Sequence, residues 1–315
     1  MGSHGRERRA GTAGVLIAAV LWGTTGTAAT FAPEVGAVAI GAMAMSGGGL
    51  LQALAAGRDI RRAGPLLGYH WRCLIAGAVA VACYPLAFYA AMRLAGVTIG
   101  TVVSIGSAPL LSALIEYRLD GGRRPGGRWA VGAGLGLLGM GLLCLAETGF
   151  HDSADDSSPG DTWRVVQGVA LGLLAGFTYA FFSWSARRLM QSGTPPRTAM
   201  GATFGLGGLL LLPVLLVTGA PLLGSLQNAA VGLYMALVPM FLGYLGYGYG
   251  LARVPASTAT TLTLLEPVVA ALLAVAVVGE RLPPLGWLGV ALVVACLVWL
   301  VVLSERIESR GGRQT

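Results

Sequence analysis

The chain is a succession of uncharged apolar stretches, each close to the length that crosses a bilayer, separated by short polar segments. Ten such runs lie near 12–31, 36–56, 72–94, 97–117, 129–147, 165–186, 198–218, 229–251, 256–279 and 285–304. Roughly 20 apolar residues in helical form span the hydrocarbon core. Charged residues make up only 11% of the chain, against about 25% in an ordinary soluble domain, so it cannot clothe a water-facing surface. The expected fold class is therefore all-α integral membrane, with ten transmembrane helices. The spans leave room only for short connections, which excludes an ATPase module or a large extramembrane enzyme. The first run is too long, and too poor in cleavage-site features, for a removable signal peptide.

The basic residues set the expected orientation. All 21 are Arg, none Lys, a usage that points to a GC-rich bacterial genome. They fall between the apolar runs, which reads as a topology signal and not as a nucleic-acid groove. With ten spans, 18 of them lie on the side of both termini, and only Arg93, Arg164 and Arg281 lie opposite. The positive-inside rule predicts cytoplasmic termini in the bacterial plasma membrane. The four Cys sit in or beside apolar runs without ligand-like spacing, and the three His lie outside them, so neither a metal nor a cofactor is expected.

A repeat at a fixed offset underlies the ten spans. At 158 residues, Tyr89 falls on Tyr247, Pro109 on Pro267, Pro125 on Pro283 and Trp129 on Trp287; at 153, Gly23 and Thr25 fall on Gly176 and Thr178. The chain divides into a first five-helix repeat (1–150), an acidic extracytoplasmic linker (151–164) and a second repeat (165–315). An odd number of spans per half forces the second to enter from the opposite side, the inverted-repeat signature of secondary transporters.

LWGTTGT in span one, Ser-Ala-Pro (107–109) in span four, Leu-Leu-Glu-Pro (264–267) and Gly-Glu-Arg-Leu (279–282) together resemble the EamA-type branch of the drug/metabolite transporter superfamily. The start of span two, VGAVAIGAMAMSGG, is similar to the branch that includes aromatic amino-acid exporters. The resemblance implies export of amino acids, other metabolites or toxic compounds through a central cavity by alternating access without ATP. The first half departs from the pattern where Gly122 stands at the place of Glu280, so the two halves are not equivalent there.

Glu266 is the sharpest single feature. An ionised carboxylate inside an apolar span is costly, so it must be protonated, wetted or paired. Each state suits a coupling or substrate site, and a protonated structural acceptor remains the alternative. Pro267 beside it removes a backbone donor and opens the helix locally. The repeat mate of Glu266 is Ala108, so any coupling carboxylate is present once. Glu116 reads as a structural acid reaching Arg118 or its own loop, and Glu280 with Arg281 as a capping or gate pair.

Aromatic and hydroxyl side chains supply the remaining candidates for a substrate site: Trp22, Thr25, Tyr84, Tyr89, Ser107, Tyr179, Trp184, Tyr244 and Tyr247. The aromatic ones suit stacking on an aromatic or cationic ligand, or packing and interfacial anchoring. Thr25 and Ser107 suit either ligand bonding or back-bonding to their own helices. Two other patterns are set aside. Gly134-Leu-Gly136-Leu-Leu-Gly139 lies inside a span with no preceding strand, so it is not a nucleotide site. Asp152, Asp155 and Asp156 read as a solvated linker.

The expected function is a secondary transporter exporting a small metabolite, an amino acid first among the classes, with proton coupling at Glu266. The alternative is a multidrug or toxic-compound exporter on the same scaffold. A lipid-modifying membrane enzyme is remote, because it needs clustered His, Asp or Cys at a membrane interface. The expected partners are a small-molecule substrate and the lipid bilayer, with no nucleic acid; the sequence leaves the oligomeric state open.

Overall fold

A backbone without water must satisfy its own N–H and C=O groups, and the chain does so with helices throughout. The computed structural model describes residues 3–121, 126–147, 159–279 and 281–311, and no strand occurs among them. Ten helices are long and apolar enough to cross a membrane. They run Gly5–Thr30, Ala37–Ala55, Trp71–Ala95, Ile99–Leu119, Gly127–Ala146, Trp163–Gln191, Pro196–Thr218, Leu226–Leu251, Ala256–Val278 and Pro284–Val301, here spans one to ten.

Several helices outrun the apolar stretches that foretold them. The first begins at Ser3, carrying Arg6, Arg8 and Arg9 into its opening turns. The helix of span six begins at Pro159, so residues 159–164 of the expected linker are helical. Residues 151–158, with Asp152, Asp155 and Asp156, lie outside the described residues, as do Gly122 and Glu280. The Arg-bearing connection after span two, expected as a loop, forms two short helices, Gly57–Arg62 and Gly64–Tyr69.

An even number of spans leaves both chain termini at one end of the bundle, the terminal end; the opposite end is the far end. At the terminal end Arg197 Nη2 donates to the Ala55 carbonyl (3.2 Å), and Trp299 Nε1 to that of Arg128 (3.0 Å). At the far end Gln227 Nε2 donates to the Phe31 carbonyl (2.7 Å).

The helix pairing repeats when the halves are exchanged. Span three packs on spans six and seven as span eight packs on spans one and two. Span four packs on six as nine packs on one, while two with seven, four with nine and five with ten pair with their own mates. The fold is thus two inverted five-helix repeats around a pseudo-two-fold axis.

Glycines make these crossings close. A Cβ on Gly139 would lie 2.7 Å from the Gly289 carbonyl, and one on Gly289 would lie 2.6 Å from that of Gly139. Spans one and eight meet in the same way, with Gly14 against the Gly246 carbonyl at 2.7 Å. The repeat mates Gly23 and Gly176 also match: each brings its helix onto a backbone carbonyl, Glu266 for the first (2.8 Å) and Ser104 for the second (2.7 Å). Gly139→Leu is expected to part spans five and ten and destabilise the protein by about 1–3 kcal/mol, the range for overpacking. Gly141→Leu, facing open space, should leave thermal unfolding in detergent nearly unchanged; equal effects would disprove the close crossing.

Candidate functional site

Two prolines shape the centre of the bundle. Pro267 has no N–H to give to the carbonyl four residues back, so span nine changes pitch there. Its helix stops at Leu262, the Glu266 N–H turns to the Thr263 carbonyl (2.9 Å), and a second helix runs from Leu265 to Leu273. Its mate Pro109 sits inside an unbroken helix, Val97–Leu119. In span eight, Pro239 lies within a π-helical stretch, Ala236–Gly243, the kind of widening that often marks a site. Side chains from other helices reach the carbonyls of that wide turn. Trp22 Nε1 donates to Pro239 O (2.9 Å) and Gln52 Nε2 to Met240 O (3.4 Å).

Beside these irregular turns lies a cavity of about 380 Å³. Its walls come from both halves, with Trp22 and Thr25 of span one, Tyr84 and Tyr89 of span three, Tyr179 of span six, Tyr244 of span eight and Glu266 of span nine. The lining runs toward the far end through Ala29, Met92 and Thr101. Toward the terminal end the space stops on a packed aromatic layer. Trp22 meets Tyr244 and Tyr247 at centroid distances of 4.7 and 5.2 Å, and Phe204 meets Tyr244 at 4.2 Å.

Glu266 is the single charged side chain among the described residues lining the cavity. It is half-buried, and no described residue makes a hydrogen bond or ion pair with its carboxylate. Of the states open to it, pairing with a neighbour is therefore not the one adopted. Span one can approach this close because Gly23 has no side chain.

The other candidates separate into three groups. Trp22, Thr25, Tyr84, Tyr89, Tyr179 and Tyr244 line the cavity with Glu266. Tyr247 lies one layer below, fully buried and bonded to Ser183 Oγ (2.8 Å). Ser107 and Trp184 are outside: Ser107 packs behind the wall against Gly176, and Trp184 Nε1 donates to Asp120 Oδ1 (3.0 Å) at the terminal end. Phe177, Phe181 and Trp184 follow one another along span six outside the cavity lining, with ring centroids 5.8 and 5.6 Å apart. That spacing looks the same in sequence as a cavity stripe.

Sequence reasoning missed the methionines. Met45, Met92, Met235 and Met240 all line the cavity and give it adaptable walls. Met in an apolar span carries no signal of its own; the one available pointer was Pro239 inside span eight.

The terminal end is tied shut by polar contacts. Glu116 accepts from the backbone N–H groups of Ala256 (2.6 Å) and Ser257 (3.3 Å), so it caps span nine, where Arg118 or its own loop had been the expected partners. Arg187 donates to the carbonyls of Leu251 (2.8 Å) and Val254, gripping the same turn from span six. Arg188 lies 4.0 Å from Asp120. Glu116→Ala should lower stability by about 1 kcal/mol, as for loss of a helix cap. An unaltered melting temperature in detergent would show that the cap contributes nothing.

With this geometry in hand, known proteins resemble the chain at three levels. The model of the EamA-like transporter family matches twice, over residues 9–145 and 166–302, once per half. An uncharacterized transporter of Bacillus subtilis, YwfM, is 34% identical over 293 residues, 92% of each chain. The threonine/homoserine exporter RhtA of Escherichia coli K12 is 28% identical over 72% of this chain and 73% of its own. A probable terminal-alkyne amino-acid exporter of Streptantibioticus cattleyicolor is 29% identical over 61% of this chain and 60% of its own. A crystal structure at 19% identity shares the fold with a TM-score of 0.75, covering 95% of this chain and 98% of that one. The chain is thus a multi-pass membrane transporter, and it belongs to the EamA-like transporter family.

Proposed function

We propose that the protein exports a small amino compound, an amino acid first, from the bacterial cytoplasm by alternating access, exchanging it for protons at Glu266. The observation that carries this reading is the lone unpaired carboxylate facing an otherwise uncharged, aromatic cavity at a break in span nine. A carboxylate in such a place holds either a proton or the ammonium group of a ligand. One displacing the other is what couples an export step to proton entry. The names of two relatives, an exporter of threonine and homoserine and a probable exporter of an alkyne amino acid, support the amino-acid class.

The 18-to-3 split of Arg between the two ends supports cytoplasmic termini. On that orientation the cavity faces outward, and the contacts of Glu116, Arg187 and Asp120 seal the cytoplasmic side. The inverted repeats supply the opposite state: the halves exchange conformations about the shared axis, and the seal moves to the other end. A second reading, a broad exporter of toxic compounds, draws on the four methionines and the aromatic walls.

The test is counterflow in proteoliposomes loaded with unlabelled amino acids or organic cations. Accelerated entry of labelled amino acid is expected. Exchange confined to bulky cations would favour the second reading, and exchange of nothing on the panel would remove both. Glu266→Gln, which keeps shape but cannot release a proton, should abolish dependence on a pH gradient while leaving the protein folded. Dependence that survives the substitution would remove Glu266 as the coupling group.

A further inference from the structure

The cavity tyrosines differ in what their hydroxyls do. Thr263 Oγ1 gives its one proton to the Thr260 carbonyl (2.9 Å), so it accepts from Tyr179 at 2.9 Å. Ser183 Oγ gives its proton to the Tyr179 carbonyl (2.8 Å), so it accepts from Tyr247 at 2.8 Å. Both phenols are thereby committed within the protein. Thr25 is committed to the Trp22 carbonyl (2.7 Å), and the Trp22 indole to Pro239.

Tyr84, Tyr89 and Tyr244 have no such partner among the described residues, although all three line the cavity. Tyr244 is only 4% exposed, yet its hydroxyl still reaches the cavity space. A nearly buried donor left open in a site needs an acceptor. Glu266 is within electrostatic reach of all three hydroxyls but bonded to none of them.

We infer that Tyr84, Tyr89 and Tyr244 form a carboxylate subsite, in which neutral phenol donors hold the acid group of an amino acid whose ammonium lies on Glu266. This rests on the amino-acid reading above and adds how the acid end is recognised. No Arg or His is among the described residues lining the cavity, so the ligand's negative charge meets no cation there. A carboxylate accepts several hydrogen bonds at once, and ionic acceptors strengthen them. The absence of a cation has a physical reason. A guanidinium here would pair with Glu266 in the empty cavity and hold it in the ionised form. Phenols bind the ligand's carboxylate and leave Glu266 free to exchange its proton.

Tyr84→Phe, Tyr89→Phe and Tyr244→Phe each remove one O–H and keep the ring. The probes are pairs that differ only by the carboxylate: phenylalanine with 2-phenylethylamine, leucine with isoamylamine, threonine with 1-amino-2-propanol. They compete in proteoliposome counterflow, with Tyr234→Phe as control because its hydroxyl bonds Thr24 away from this cavity (2.7 Å). A hydrogen bond to a charged group implies that each cavity variant weakens the amino acid about ten- to a hundredfold. The matching amine should keep its wild-type affinity. Equal loss for amine and amino acid, no loss for either, or the same loss in Tyr234→Phe would overturn the subsite. Wild-type exchange of amines without amino acids would overturn it too, while sparing an ammonium exporter built on Glu266. Exchange of neither member of any pair would remove the amino-acid reading along with it.

Discussion

Every backbone group near the middle of this bundle has to find its partner inside the protein, because lipid offers none. Pro239 and Pro267 each delete one donor at that depth, and much of the centre follows from how the loss is met. Span eight widens and takes donors from Trp22 and Gln52, which ties spans one and two to it. Span nine tightens, with the Glu266 N–H reaching back to Thr263. Tyr179 then reaches the Thr263 hydroxyl, so span six is pinned to the same break. The aromatic floor is therefore held by hydrogen bonds at the two irregular turns as well as by ring packing.

The inverted repeat supplies symmetry of packing without symmetry of chemistry. Gly23 and Gly176 hold equivalent close approaches on spans nine and four. Yet Pro109 leaves its helix whole where Pro267 breaks span nine, and Ala108 stands where Glu266 does. One half contributes the ionisable group, and both contribute the walls. In the proposed cycle, that single carboxylate holds one proton or one ligand ammonium at a time.

Stability and access to the site draw on different parts of the chain. The crossings at Gly139–Gly289 and Gly14–Gly246 depend on backbone contact and tolerate no added side chain. The terminal-end contacts, by contrast, are a few polar bonds from Glu116, Arg187 and Asp120 onto turns and helix ends. Such bonds can be broken and remade between states at modest cost, which suits the end that opens in the proposed cycle.

The sequence by itself determined the ten helices, their division into two inverted halves and the position of the acid in the middle of span nine. Each of these follows from local pattern: apolar length, residue offset, and a charge where no charge is tolerated. Tertiary structure decided which aromatics face the cavity. Tyr179 and Trp184 sit five residues apart on one helix, yet one lines the site and the other bonds Asp120 at its edge. It also decided that Glu116 caps span nine from span four, a partnership 140 residues apart in sequence. In a span that is apolar all round, periodicity cannot separate the face toward lipid from the face toward protein or ligand, because all three accept the same side chains. Only the packing of the neighbouring helices makes that distinction.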